Sequence, residues 1–157
     1  MLDLAIEAAL QAFVREAADR DLLASAQDIS GGGLAVALAE CAMWGEEDRG
    51  LGARLRLGVA NSPAVDLFGE SPSRVVVSTR PRYAPALVLL ARQHGLVAEE
   101  LGFVGGERLV IDLAGAGATG ASEERGSRVA DALDVAVDDL RHTWETGLSR
   151  ALGWDGH

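Results

Sequence analysis

The residues of this chain with the clearest potential for chemistry stand in one short segment, residues 25–34. An acid, Asp28, comes shortly before three successive glycines, and an amphipathic helical pattern begins at Leu34. The N-terminus of a helix presents unpaired backbone N–H groups and a partial positive charge, and glycine lets an anion, typically phosphate, approach that backbone closely. The candidate phosphate-binding residues of this segment are Ser30, Gly31, Gly32 and Gly33.

The same residues also fit a tight turn from a strand into a helix. In such a turn the glycines supply positive φ angles and Ser30 caps the helix. Glycine-rich turns of this kind occur in proteins with and without a bound phosphate, so the local sequence leaves both alternatives open.

The elements that must position this turn follow from the apolar spacing. Residues 3–20 are predicted to form an amphipathic helix, because Ile6, Leu10, Phe13 and Ala17 recur at helical intervals. A short buried strand at 22–29 then leads into the glycine turn, and a second helix runs from Leu34 to Trp44. Alternating apolar residues at 53–59 predict a half-buried strand.

The second half of the chain continues this alternation. A short helix is predicted at 64–68, a central strand at 74–79 and a helix at 83–94, which Gly95 ends. Strands at 101–104 and 109–113 flank the sequence Gly105-Gly106-Glu107-Arg108, which is typical of an antiparallel hairpin. These elements predict the α+β class, with helices packed on a mixed, largely antiparallel sheet, rather than a doubly wound parallel sheet.

The domain organisation is predicted from a change in composition near the C-terminus. Residues 1–113 form the main α/β body, and residues 114–127, rich in glycine and alanine, resemble a flexible linker. Residues 128–157 are predicted to form a helical segment that packs on the same domain, with a break near Asp134.

Composition excludes several classes of function. The chain has 157 residues, 14 basic residues that are all arginine and 24 acidic ones, for a formal net charge of -10. No basic run is present to bind a phosphate backbone, so we expect no nucleic-acid partner. Neither a membrane-spanning apolar run nor a signal peptide is evident, so we expect no membrane partner and a cytoplasmic location. Cys41 is a buried structural thiol by pattern, and the three histidines are too dispersed to form a ligand set.

Three ordered motifs resemble a known family. They are SAQDISGGGLAVALAE at 25–40, LFGESPSRVVV at 67–77 and LGFVGGERLVI at 101–111. This arrangement resembles the C-terminal domain shared by aminoimidazole-ribonucleotide-synthetase-like proteins. With LRHTWE at 140–145, it is most similar to the last domain of the large subunit in the phosphoribosylformylglycinamidine synthase family, over residues 5–152.

The resemblance implies a role in purine synthesis. Enzymes of that family convert formylglycinamide ribonucleotide to its amidine with ATP, Mg²⁺ and ammonia that a glutaminase subunit supplies. The implied partners are the remaining domains of the large subunit, together with the glutaminase and small subunits. The ATP-type domain of the family is not in this sequence, so we expect no catalytic residue here, no cofactor held by this chain alone and no autonomous catalysis.

The resemblance also assigns candidate site residues through the related domain in the first half of the family's subunit. Asp28 takes the place of a magnesium ligand, and Glu70 and Ser71 fall on a segment that holds substrate. The residues themselves leave structural alternatives open: Asp28 would cap nearby N–H groups, and Glu70 and Ser71 would shape the turn into the central strand. The departures are Pro72 in place of glutamine, Gln27 in place of histidine and Gly31 in place of aspartate. They favour a degenerate, structural copy of the site. Arg74 has two candidate partners, a phosphate and Glu70, and we expect the ion pair with Glu70.

Two other functions remain open. The turn from Asp28 to Gly33 would bind a phosphorylated ligand or nucleotide if the chain were a stand-alone binding module. Alternatively, the chain would be the equivalent domain of a selenophosphate synthetase, a thiamine-phosphate kinase or a hydrogenase maturation factor. The Glu70-Ser71-Pro72 segment favours the synthase over these relatives.

Overall fold

The computed structural model of the protein describes residues 3–44, 50–58, 62–114 and 131–153. Helices and strands alternate as far as the fourth helix, which a 3-10 turn at Pro81–Tyr83 precedes, and three successive strands and a last helix follow. Among the described residues, no helix has the length and apolar character needed to cross a membrane. In chain order the elements are α1 Leu4–Asp19, β1 Ser25–Asp28, α2 Gly33–Met43, β2 Ala53–Gly58, α3 Pro63–Phe68, β3 Val75–Ser78, α4 Ala84–Gln93, β4 Gly102–Val104, β5 Arg108–Ala114, β6 Asp131–Ala136 and α5 Val137–Ala151.

The chain forms two compact units, and the first comprises Met1–Ala37 and Ala64–Glu100. Its core lies between α1 and α4, where the buried side chains are Phe13, Ala17, Leu87, Leu90 and Ala91. The helical spacing of the apolar residues in the sequence predicts this packing.

Helix α1 begins where the sequence places it. The side chain of Asp3 accepts hydrogen bonds from the backbone N–H groups of Ala5 and Ile6, at 2.9 and 3.3 Å. An N-terminal cap of this kind satisfies donors that have no partner within the helix, so the acid sets the first turn.

A two-stranded antiparallel sheet, β1 with β3, completes the first unit. Asp28 lies opposite Val75, and Ser25 lies opposite Ser78. The predicted burial of β1 is wrong, because this strand is largely exposed. The prediction of β3 as a central strand is also wrong, because β3 is half-buried and has β1 as its one neighbour among the described strands. Two strands cover less apolar surface than the larger sheet that the β-branched run at 74–79 suggests.

The second unit comprises Leu38–Pro63 and Leu101–His157 and contains a four-stranded sheet in the order β4-β2-β5-β6. Strands β2 and β5 are parallel, whereas β2 with β4 and β5 with β6 are antiparallel. Along β2 the side chains of Ala53, Leu55 and Leu57 are buried and alternate with exposed ones, which confirms the predicted half-buried strand. The α+β class is likewise confirmed, with the strands divided between two sheets.

The predicted hairpin between 101–104 and 109–113 is wrong. Strand β2 lies between β4 and β5, so these two strands are not neighbours. The N–H of Gly52 donates to the carbonyl of Gly106 at 2.9 Å, and the N–H of Gly105 donates to the carbonyl of Gly52 at 2.7 Å. A Cβ atom on Gly52 would lie 2.3 Å from the carbonyl oxygen of Arg108. The absence of a side chain at Gly52 therefore lets the chain just before β2 pack against the turn at 105–108.

The C-terminal segment also differs from the prediction. Asp131–Ala136 form the strand β6 rather than the start of a helix, and α5 begins at Val137. Leu133 lies opposite Ile111 on β5, so pairing with a buried strand overrides the helical spacing. All residues of the predicted linker at 114–127 except Ala114 lie outside the described residues, and the linker stays a prediction.

Candidate functional site

The glycine turn connects β1 to α2 in the first unit. Helix α2 begins at Gly33, whose N–H donates to the carbonyl of Ser30 at 3.0 Å. The φ angles of Gly32 and Gly33 are 82° and 71°, a region that glycine adopts without strain. Ser30 stands three residues before the helix, so the expectation that its side chain caps α2 is wrong. Its backbone carbonyl closes the turn instead.

The three glycines of the turn have different roles. A Cβ atom on Gly33 would lie 2.6 Å from the carbonyl carbon of Phe68 and 2.9 Å from the carbonyl oxygen of Leu67. Gly33 therefore lets the start of α2 contact the backbone at the end of α3. A Cβ atom on Gly31 would meet nothing within 4 Å, and its φ angle is not positive. The fold requires glycine at Gly32 and Gly33, but not at Gly31.

The side chain of Glu70 contacts this turn. Its Oε1 accepts a hydrogen bond from the backbone N–H of Gly32 at 3.1 Å. Helix α3 ends at Phe68, and the N–H of Gly69 donates back to the carbonyl of Val65 at 2.9 Å, which turns the chain towards α2. A carboxylate at a helix N-terminus interacts favourably with the partial positive charge there. The chain thus places a carboxylate of its own at the start of α2.

An open depression brings three of the seven candidate residues together. It is lined by Ile29, Ser30, Glu70, Ser71 and Pro72. The structure therefore brings Ser30 together with Glu70 and Ser71, although about forty residues separate them in sequence. Pro72 presents a ring where an amide side chain would offer hydrogen bonds, so the lining is poorer in donors than the family's segment implies.

Arg74 contacts Ser71 and not Glu70. Its Nη1 donates to the hydroxyl oxygen of Ser71 at 3.3 Å. The expected ion pair between Arg74 and Glu70 is not among the ion pairs of the described residues. The backbone carbonyl of Arg74 also accepts from the N–H of Ile29 at 3.2 Å, which attaches the loop after α3 to the end of β1.

Ser73 connects the loop after α3 to α1, a role that the sequence does not indicate. Its φ angle is 60°, which is uncommon for a residue with a side chain, and its hydroxyl donates to Oε2 of Glu7 on α1 at 2.7 Å. Hydrogen bonds from Gln11 and then from Ser73 lower the pKa of Glu7, against a smaller opposing effect of burial. No local pattern links Glu7 to Ser73, because the contact depends on how α1 lies against the loop.

Asp28, the predicted magnesium ligand, ends β1 with an exposed side chain. It is not among the residues that line the depression. Across residues 3–44, 50–58, 62–114 and 131–153, no three His, Cys, Asp or Glu side chains are grouped so that they could hold a metal ion. Magnesium requires about six oxygen ligands, so Asp28 alone does not form a magnesium site. It would need oxygens from a bound phosphate or another domain.

Comparison with known proteins identifies relatives over nearly the whole chain. The chain is 38% identical over 160 residues to the phosphoribosylformylglycinamidine synthase subunit PurL of Anaeromyxobacter dehalogenans, covering 98% of this chain and 19% of that subunit. It is 44% identical over 152 residues to the PurL subunit of Thermobifida fusca, covering 97% of this chain and 17% of that subunit. The chain thus spans about a fifth of the length of these relatives.

Solved structures agree with this assignment. The structure of PurLQS from Thermotoga maritima matches with a TM-score of 0.68 and 25% identity, covering 89% of this chain and 22% of that chain. T. maritima PurL complexed with ATP matches with a TM-score of 0.64 and 26% identity, covering 84% of this chain and 21% of that one. The model for the C-terminal domain of AIR synthase related proteins matches residues 1–114. The chain therefore belongs to the family of AIR synthase related protein C-terminal domains.

Proposed function

We propose that this chain acts as the C-terminal supporting domain of a PurL-type phosphoribosylformylglycinamidine synthase subunit in purine biosynthesis. The support comes from its family and from PurL relatives that are 38% and 44% identical over 98% and 97% of the chain. The relatives described above are synthase subunits, which favours this function over a role in selenophosphate, thiamine-phosphate or hydrogenase maturation chemistry.

The observation that carries the supporting role is the hydrogen bond between Glu70 and Gly32. A phosphate at the turn would have to displace the Glu70 carboxylate or accept its repulsion, and both cost free energy. Pro72 and Gln27 also lack the groups expected of a working site. The glycine turn then holds β1, α2 and α3 together in the first unit and does not bind substrate.

The proposal extends to the cofactors and partners of the whole subunit. ATP use is supported by T. maritima PurL, which has been solved in complex with ATP. Mg²⁺ would depend on ligands beyond Asp28. The partners would be the remaining domains of the subunit, and then the glutaminase and small subunits, with the assembly in the cytoplasm.

A domain replacement tests the proposal. We would replace the matching segment of the T. fusca PurL subunit with this chain, keep the rest of that subunit whole, and supply ATP, Mg²⁺, ammonia and formylglycinamide ribonucleotide. The chimeric subunit should form the amidine, whereas the isolated chain and a T. fusca subunit lacking the segment should not. Turnover by the isolated chain, or an inactive chimera that folds as well as the T. fusca subunit, would contradict the proposal.

The stand-alone binding module is the competing function, and it predicts a different result. A phosphorylated ligand would then bind the isolated chain at the glycine turn with no other domain present. Glu70 disfavours this function, because its carboxylate already accepts from the N–H of Gly32. Calorimetry of the isolated chain with ATP, ADP or formylglycinamide ribonucleotide, each with Mg²⁺, separates the two functions.

A further inference from the structure

The C-terminal end of α2 is hydrogen-bonded to two other segments of the second unit. The N–H of Leu51 donates to the carbonyl of Ala42 at 2.9 Å, and Nη2 of Arg141 on α5 donates to the carbonyl of Met43 at 2.7 Å. The last carbonyls of a helix have no partner within it, so these bonds fix the segment at 50–51 and α5 against one helix end.

Gly50 lies where these three segments meet. A Cβ atom on Gly50 would lie 2.1 Å from Cγ1 of Val137 and 2.6 Å from the carbonyl oxygen of Ala42. Only a residue without a side chain fits between α2 and the start of α5. The backbones of α2, the segment at 50–51 and α5 are therefore closely packed at this junction.

The three segments that meet at this junction each carry a large exposed apolar side chain. Trp44, Leu51 and Trp144 are 60%, 47% and 53% exposed, and we call them the tryptophan patch. Trp144 follows Arg141 by three residues, so the two side chains leave α5 on the same side of the helix. Tryptophan is enriched among the residues that contribute most of the binding energy at protein interfaces. A single exposed apolar residue is common on protein surfaces. A group of large apolar side chains on packed segments indicates a binding surface.

The comparisons indicate what covers this patch. The family model ends at residue 114, before α5, whereas the PurL relatives align with 97–98% of the chain. The match to PurL subunits therefore extends into α5, which lies beyond the part that the family model matches. Those subunits extend far beyond the match, which covers 17–19% of their length.

We infer that the tryptophan patch docks into an apolar pocket on another domain of the same PurL-type subunit. This inference rests on the proposed function and specifies the surface through which the domain supports the rest of the subunit. Trp44 and Trp144 are the anchors, and Leu51 extends the apolar contact between them.

Hydroxyl-radical footprinting read by mass spectrometry tests the inference residue by residue. Oxidation of Trp44 and Trp144 is measured in the isolated chain and in the chimeric T. fusca subunit described above. In the chimera we expect oxidation of both tryptophans to fall about tenfold, as for anchors excluded from water. Phe103 on β4 is the matched control, since it is 65% exposed and lies outside the patch. Its oxidation should stay the same.

A double substitution, Trp44→Ala with Trp144→Ala, provides a second measurement. Both side chains are exposed, so the isolated variant should unfold at the same temperature as the parent chain. In the chimera, the substituted domain should unfold separately from the rest of the subunit and be cleaved faster by protease. Phe103→Ala should leave the joint unfolding intact.

The outcomes separate this inference from the function on which it rests. A chimera that folds and forms no amidine contradicts the proposed function and the docking surface with it. An active chimera in which both tryptophans oxidise as fast as in the isolated chain overturns the docking surface alone. Protection of the tryptophans in a dimer of the isolated chain also overturns it, because the occupant is then a second copy.

Discussion

The carboxylate of Glu70 accepts a hydrogen bond from the backbone N–H of Gly32, with 3.1 Å between Oε1 and N. This contact joins the loop after α3 to the first turn of α2, across 38 residues of sequence. It gives the glycine turn an anion from within the chain. This contact is the basis of the proposal that the turn is structural.

Removing the Glu70 carboxylate should destabilise the first unit. Glu70→Ala leaves the N–H of Gly32 without its partner and the helix end without a negative charge, and we expect a loss of about 1 kcal/mol in the free energy of unfolding. Glu70→Gln keeps an oxygen acceptor and should cost less. Urea denaturation measures both. Glu99→Ala, in the exposed segment after α4, is the matched control, and an equal effect of all three substitutions would contradict the role of Glu70.

The close approach at Gly33 predicts a second difference in stability. Gly33→Ala brings a Cβ atom within 2.6 Å of the Phe68 backbone at a φ of 71°, so we expect a loss of about 2 kcal/mol or more. Gly31→Ala meets nothing within 4 Å and should change stability by about 0.5 kcal/mol or less. Thermal unfolding of the two variants decides this. Equal losses would show that the turn does not pack as described.

The pKa of Glu7 reports the contact between α1 and the loop that carries Glu70. Gln11 and Ser73 lower this pKa, so Gln11→Ala and Ser73→Ala should each raise it, Gln11→Ala by more. A carboxyl group whose pKa is lowered by folding stabilises the fold above its unfolded pKa, and this contribution is lost as the pH falls through the folded value. NMR titration of the Glu7 carboxyl carbon measures the shift. An unchanged pKa in Ser73→Ala would exclude the hydrogen bond.

The thiol of Cys41 should react slowly in the folded chain. Burial, and then the charge of Glu40, raise the pKa of Cys41, so less thiolate is present at a given pH. Iodoacetamide at mildly alkaline pH should alkylate the folded chain severalfold more slowly than the chain unfolded in urea. The raised pKa favours folding below the unfolded pKa, and that contribution disappears as the pH rises through the folded value. Cys41 is only half-buried, and equal alkylation rates would contradict even this partial burial.

The sequence predicts much of the local structure, because local structure depends on spacing. The apolar residues of α1 and α4 indicate their shared core, and the alternation at Ala53, Leu55 and Leu57 indicates β2. The secondary structure of residues 131–136 is not determined by apolar spacing alone, because Leu133 fits a helical interval as well as the alternation of a strand. Its pairing with Ile111 decides in favour of a strand, and that pairing is not visible in the segment itself.

Long-range order is what the sequence could not supply. The glycines at 105 and 106 indicate a turn, but no local signal places β2 between the strands on either side of it. Similarly, the motif containing Glu70 indicates a site residue without indicating its partner. The contact with Gly32 and the contact between Ser73 and Glu7 both depend on tertiary packing, and both became evident only in the structure.

The most direct test of the account is an NMR titration of the isotope-labelled chain, with the backbone amides of Gly31, Gly32 and Gly33 as reporters. ATP with Mg²⁺ and formylglycinamide ribonucleotide would be added separately to millimolar concentration. If Glu70 already occupies the turn, these amide signals should show no saturable shift. A saturable shift of the Gly32 amide with either ligand would contradict the account, because the turn would then be a working ligand site.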